Sequence, residues 1–365
     1  MDLRRRSFLG LGSAVLPVLG VLALFLTWGR DLGPVLATVV AAVLAGAVLT
    51  AVHHAEVVAH RVGEPFGSLV LAVAVTIIEV ALIVTLMVSG GPETTSLARD
   101  TVFAAVMITM NGIVGLALFV GAVRYGVALF NAEGTGAALA TVTSLATLSL
   151  VLPNFTASTP GPVFSPAQLT FAAVASLALY GMFVFTQTVR HRDFFLPVTA
   201  DGAVAADGHI DPPTRRATAT SLGLLVLALV AVVGLAKVES PAIETGVKAA
   251  SFPPSFVGVM IALLVLLPET LAAVRAATRN RIQISLNLAL GSALASIGLT
   301  IPAIAVASIW LEGALPLGLR ATQMVLLALT VIVSMLTVVP GRATRLQGGV
   351  HLVLLAAFLF LSVSP

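Results

Sequence analysis

Apolar runs of roughly twenty residues recur from one end of this 365-residue chain to the other. At a rise of 1.5 Å per residue such a run matches the roughly 30 Å hydrocarbon core of a bilayer, where backbone polar groups must be bonded within the helix itself. Charged residues make up 10% of the chain and hydrophobic ones 58%, against about 25% charged in a soluble domain. The expected fold is therefore an all-α polytopic membrane protein whose first partner is the lipid bilayer, with no nucleic-acid partner. Cysteine is absent, which removes disulfides, thiolate metal sites and iron–sulfur clusters.

Breaks at charged or Pro/Gly-rich stretches divide the chain into about eleven spans, near 7–29, 34–54, 66–89, 101–123, 136–153, 168–188, 217–236, 253–274, 282–310, 317–339 and 347–364. The first follows Arg4-Arg5-Arg6-Ser7-Phe8-Leu9, which resembles a twin-arginine export signal. It ends in Thr27-Trp28-Gly29-Arg30 without a small-residue cleavage site, so a retained helix is expected.

Basic residues test the count independently. With the N-terminus in the cytoplasm, the inner side receives Arg4, Arg5, Arg6, Arg61, Arg124, Arg190, Arg192, Arg215, Arg216, Arg275, Arg279, Arg281, Arg342 and Arg345. The outer side receives Arg30, Arg99, Lys237, Lys248 and Arg320, so the split is fourteen to five. That is the bias of a correct topology, and one span more or fewer midway would scramble it. A bacterial inner membrane with the C-terminus outside is the expected setting.

The longest polar stretch, Arg190 to Arg216, contains Asp201, Gly202, Asp207, Gly208, Asp211, Pro212 and Pro213. It separates five spans from five more. Because five is odd, the second block must enter the membrane in the opposite orientation, as in the inverted repeats of secondary transporters. The expected division is a peripheral first helix (1–30), a first five-helix repeat (31–189), a cytoplasmic linker (190–216) and a second five-helix repeat (217–365). Phe66, Ala72, Val75, Glu79 and Val84 match Phe256, Ala262, Val265, Glu269 and Val274 at a constant offset of 190 residues. Apolar letters coincide easily in such a composition. A glutamate matched thirteen residues past a matched phenylalanine does so less easily.

Glu79 and Glu269 carry the chemistry. Each lies near the middle of its span, where a carboxylate is costly and marks function. No lysine or arginine lies mid-span to pair with either. Two protonated acids joining helices by hydrogen bonds are the structural alternative, and they leave the matched repeat positions unexplained. Burial and a neighbouring like charge both favour the protonated form of a carboxyl group. A cation arriving at the pair would displace protons, and protons would displace the cation. With alternating access, such competition is obligatory antiport.

Hard cations take oxygen ligands. Asn111 is the amide well inside the fourth span, and Ser292 and Ser296 lie in the small-residue run Gly291-Ser292-Ala293-Leu294-Ala295-Ser296-Ile297-Gly298. Thr76, Asn287 and Thr300 are further candidates, although Ser and Thr often bond back to their own helix carbonyls. Pro268 and Pro302 interrupt helices where carbonyls are then freed. His53, Glu56 and His60 share a helix face at spacings of three and four. A polar helix end at the cytoplasmic interface explains them better than a transition-metal site, and Glu56 is also a candidate proton relay towards Glu79.

The segments Val52-His53-His54-Ala55-Glu56, Gly63-Glu64-Pro65-Phe66-Gly67, Ile78-Glu79-Val80-Ala81-Leu82 and Asn111-Gly112-Ile113-Val114-Gly115 together resemble bacterial calcium/proton antiporters of the cation/proton exchanger family. So do Leu267-Pro268-Glu269, Asn287-Leu288-Ala289-Leu290-Gly291-Ser292-Ala293 and Leu346-Gln347-Gly348-Gly349-Val350-His351-Leu352, most closely its sodium–potassium/proton type. The resemblance implies one peripheral helix, two inverted five-helix halves, Glu79 and Glu269 as the acidic ligands, and family counterparts for Glu56 and Asn111. Its substrates would be calcium, sodium or potassium ions and protons, with no cofactor, and it is compatible with an oligomer. Members devoted to calcium carry Gly-Asn before each repeat glutamate, where this chain has Val75-Thr76 and Val265-Leu266. Ala295 stands where a glutamine is expected, and the acidic inter-half segment is reduced to Asp201, Asp207 and Asp211. Fewer donors weaken a calcium shell of six to eight oxygens, so sodium and potassium stay open.

Two rivals remain. A channel would also bury acids, but it needs no exchange coupling. A membrane hydrolase would need a His/Glu metal triad or a nucleophile with its base, and neither His-Glu-x-x-His nor Gly-x-Ser-x-Gly occurs.

Overall fold

The computed structural model describes residues 3–63, 66–89, 94–197, 213–310 and 313–365. Glu64, Pro65, Asp201, Asp207 and Asp211 lie outside them, as do the side chains of Arg4, Arg5, Arg6 and Phe66. The helices are α1 (Leu3–Thr27), α2 (Pro34–Val62), α3 (Phe66–Ser89), α4 (Leu97–Met107), α5 (Val114–Tyr125), α6 (Ala132–Ala146) and α7 (Pro166–Phe185). There follow α8 (Arg215–Ala249), α9 (Phe256–Val265), α10 (Leu267–Ala277), α11 (Ile282–Ala307), α12 (Ala321–Val338) and α13 (Arg345–Val363). A π-helical segment, Ile108–Ile113, joins α4 to α5 in one continuous rod.

Each expected span is occupied by helix. Among the described residues nine helices are long and apolar enough to cross a membrane, the bent pair α9–α10 makes a tenth, and Gly12–Thr27 is a shorter apolar helix. Two boundaries need correction: α2 runs on to Val62 and α8 to Ala249. Hydropathy ends a span at its first charges, whereas a helix continues until its backbone is capped. Pro34 opens α2 at a position where its missing N–H costs nothing, and Gly63, at φ 73°, closes it by donating to the Ala59 carbonyl. Ser165 and Gln168 form a capping box around Pro166, and Thr344 with Gln347 does the same for α13.

The helices form two compact units that do not follow the repeat boundary. The first comprises Met1–Thr94 and Ile210–Val257, hence α1, α2, α3 and α8; the second comprises Thr95–His209 and Gly258–Pro365.

In the first unit small residues bring three helices close. A methyl group on Gly20 would fall 2.8 Å from the Ala231 Cβ and 3.6 Å from that of Ala47, Gly46 faces Leu16, and Gly234 faces Leu24. His54 of α2 reaches Ser221 of α8 at 3.3 Å and the Ser13 carbonyl of α1 at 2.9 Å. Moving along α8 from Ser221 to Ala231 moves the contact on α2 backwards, from His54 to Ala47. These two helices open the two repeats, and they run antiparallel. The first helix is thus packed into this unit against both of them.

In the second unit the inversion appears again. α5 and the π-helical segment before it, in the third span of their repeat, pack on α13, fifth in the other, through Gly112 on Leu355, Gly115 on His351 and Gly348 on Phe119. The reciprocal pair is α7 on α11, with Gly298 against Tyr180. Loops repeat the exchange. Strand β1 (Ala128–Leu129), between the third and fourth helices of the first repeat, pairs antiparallel with β2 (Arg342–Ala343), between the fourth and fifth of the second. At the other end of α6 Val163 bridges Pro316, where the two loop types are swapped.

Candidate functional site

Glu79 lies on α3 in the first unit and is 2% exposed. Thr76, one turn earlier on the same face, is buried with it. α3 carries both without a break.

Glu269 has a different setting in the second unit. The helix pair that holds it bends by 52° between α9 and α10. Glu269 is half-buried in the first turn of α10, where unshared backbone N–H groups favour an anion. Pro268 has no N–H to offer the carbonyl of Leu264. The Leu266 carbonyl, by contrast, is taken by the Thr270 backbone at 2.9 Å and by its hydroxyl at 2.7 Å. Repeat-related glutamates therefore sit on a straight helix in one half and at a helix break in the other.

Asn111 is fully buried in the π-helical segment. Its Nδ2 donates to the Thr330 hydroxyl at 2.9 Å, and its Oδ1 lies 3.1 Å from Nδ1 of His351. The far side of the His351 ring meets the Thr337 hydroxyl at 3.3 Å. The amide is held by α12 and α13 through one bond to its Nδ2 and one to its Oδ1, and an amide oxygen has two lone pairs. Beside His351 is a cavity of about 20 Å³, with Thr135, Ser334 and Thr337 as its other polar walls, room for about one water molecule.

α11 packs against α10 and the π-helical segment, bringing its serines into the same unit as Glu269 and Asn111. Ser292 is half-buried and Ser296 6% exposed. Thr300 is fully buried, and its hydroxyl has no hydrogen-bond partner among the described residues. Asn287 is used as a tie: it accepts from Gln283 at 2.9 Å and donates to the Phe195 carbonyl at 2.6 Å.

Glu56 is half-buried near the end of α2, and His53 and His60 are exposed. Among the described residues no three His, Cys, Asp or Glu side chains are grouped to hold a metal ion.

Several polar groups were hidden from sequence reasoning. His54 and His351 are core residues satisfied by partners far along the chain, which no local spacing signals. Arg99 and Asp100 form a buried ion pair at 2.8 Å, with Ser96 and Gln323 donating to Asp100 and Arg99 donating to the Gly318 carbonyl. Glu239 and Ser240, just past the expected end of the seventh span at 236, are both buried within α8. Lys237 turns away, its ammonium 5.2 Å from the Trp28 ring.

Comparison with known proteins agrees with this architecture. The y4hA chain of Sinorhizobium fredii, whose name assigns it provisionally to ionic transport, is 46% identical over 364 residues, covering 99% of this chain and 98% of that one. The sodium-potassium/proton antiporter ChaA of Escherichia coli is 34% identical over 350 residues, 95% and 94% of the two chains. The crystal structure of the H+/Ca2+ exchanger CAX superposes with a TM-score of 0.73 over 99% of this chain and 94% of that one, at 15% identity, and shares the fold. The family model for sodium/calcium exchanger protein matches residues 32–189 and 220–364, one match to each repeat. The chain is a secondary transporter and belongs to the sodium/calcium exchanger protein family.

Proposed function

We propose that the chain exports a hard cation from the cytoplasm in exchange for protons, with Glu79 and Glu269 as the groups for which cation and proton compete. Calcium is the first candidate, with sodium and potassium as alternatives. The observation that carries the reading is the matched pair of membrane-embedded glutamates on the second helix of each inverted repeat. Similarity to a relative named for sodium–potassium/proton antiport supports proton coupling and keeps the monovalent ions as alternatives. The missing Gly-Asn pairs point the same way.

Thr76, Asn111, Ser292 and Ser296 are the neutral oxygen donors of this reading, and Glu56 passes protons at the cytoplasmic end of α2. The N-terminus is cytoplasmic and the C-terminus outside in a bacterial inner membrane, as the fourteen-to-five distribution of basic residues supports.

The test is dissipation of an imposed pH gradient in inside-out vesicles at clamped voltage, with calcium, sodium, potassium and manganese added separately. Wild type should respond to its own cation, and Glu79→Gln and Glu269→Gln should insert normally without responding. Retained exchange in both variants would overturn the two-glutamate site, and cation flux without proton movement would mark a channel.

A further inference from the structure

The central reading leaves the buried acid Glu239 unused. Glu239 is 2% exposed and Ser240 1% exposed on α8, yet the Glu239 Oε1 and the Ser240 hydroxyl have no hydrogen-bond partner among the described residues. A carboxyl group that served only to join helices would commit both oxygens, because an unmet buried polar atom is destabilising. Pro241 follows directly and lacks the N–H that an α-helix would offer the Lys237 carbonyl.

The packing of the first unit fixes the level of this group. Glu239 faces the backbone of Ala41 on α2. Glu56 lies fifteen residues further along that helix, about 22 Å away along its axis. α3, with Glu79 midway along it, packs on α8 within the same unit. Because α2 and α8 run antiparallel, the opening helix of each repeat carries an acid towards its C-terminal end, and the two acids mark opposite ends of the unit.

We propose that Glu239, with the Ser240 hydroxyl beside it, is a proton-binding site of the exchange route at the end of the first unit opposite Glu56. On the orientation proposed above, that is the outer side. The carboxylate takes up a proton from water there and returns it as the central acids exchange proton for cation. Titratable and charged groups of the surrounding elements are Arg4, Arg5 and Arg6 on α1, Arg30 and Asp31 after it, His53, His54, Glu56, His60 and Arg61 on α2, Glu79 on α3, and Arg215, Arg216, Lys237, Glu244 and Lys248 on α8 itself. No charged residue lies on α2 between Pro34 and Val52, the stretch that includes Ala41.

The proposal rests on proton-coupled exchange, so the experiment carries Glu79→Gln beside Glu239→Gln, Glu239→Asp and wild type, each as full chain in proteoliposomes. Infrared difference spectra on a pH jump read protonated carboxyl groups directly. Exchange is measured separately with pH varied on each face.

Glu239→Gln is expected to lose one titrating carboxyl band and to slow exchange at least about tenfold when pH is varied on the Glu239 face. The profile on the Glu56 face should be unchanged, and Glu239→Asp should restore the band at a shifted frequency together with most of the rate. A wild-type spectrum and wild-type profiles in Glu239→Gln would overturn the proposal. If that variant does not insert, an unshifted band in Glu239→Asp overturns it instead. Exchange surviving in Glu79→Gln would count against that residue's central role, while the titrating band in Glu239→Gln decides the present proposal by itself.

Discussion

Nδ1 of His351 lies 3.1 Å from Oδ1 of Asn111, a residue 240 positions earlier in the chain. The pair ties the π-helical segment of the first repeat to the last helix of the second. Both residues are fully buried, so the bond is made in a medium where neither partner can turn to bulk water.

Replacing His351 by Leu should strand the Asn111 carbonyl and lower stability by about 1–3 kcal/mol. Thermal unfolding of the purified protein in detergent reads the loss. The apparent affinity for the transported cation should fall as well, since the amide loses its fixed orientation. An unchanged melting temperature would show that the contact is dispensable.

Asp100→Asn removes one partner of a buried ion pair and leaves the Arg99 guanidinium at 6% exposure without its counter-charge. The expected loss is about 3 kcal/mol. The double variant Arg99→Met with Asp100→Leu should recover much of it, because uncompensated charge is the larger penalty. Equal melting temperatures for the single and double variants would contradict this.

Gly348→Ala places a methyl group 2.5 Å from the Phe119 backbone nitrogen, which cannot step aside as a side-chain tip would. α13 must then move off α5 at an expected cost of about 1–3 kcal/mol. Its neighbour supplies the control: nothing lies within 4 Å of the Cβ position of Gly349. Gly349→Ala should leave stability unchanged or raise it by up to about 1 kcal/mol.

Thr300→Val exchanges a buried hydroxyl without a partner for a methyl of similar size. Stability should hold or rise, since an unmet polar atom is removed. If that oxygen serves the cation, the transport KM rises severalfold while proton binding by the empty protein stays the same. An unaltered KM would remove Thr300 from the site.

Much of the architecture could be read from the chain because a bilayer leaves it few options. Eleven apolar runs had to become helices, as no other segment can satisfy its own backbone in lipid. The odd number of spans per repeat then required inversion, which the reciprocal pairing of α5 with α13 and α7 with α11 displays. Glu79 and Glu269 stood out for the same reason: a carboxyl group is conspicuous against an apolar background.

What the sequence left open depends on distance along the chain and on caps. Glu239 lies past the apolar run that ends near 236, and only the continuation of α8 against α2 shows it buried. The His54–Ser221 contact and the Arg99 interaction with the Gly318 carbonyl join residues 167 and 219 positions apart. Hydropathy and helical spacing report what a residue does within its own helix. Which side chain it meets on another helix is decided by how closely the glycines let those helices approach, and that is a property of the packed structure alone.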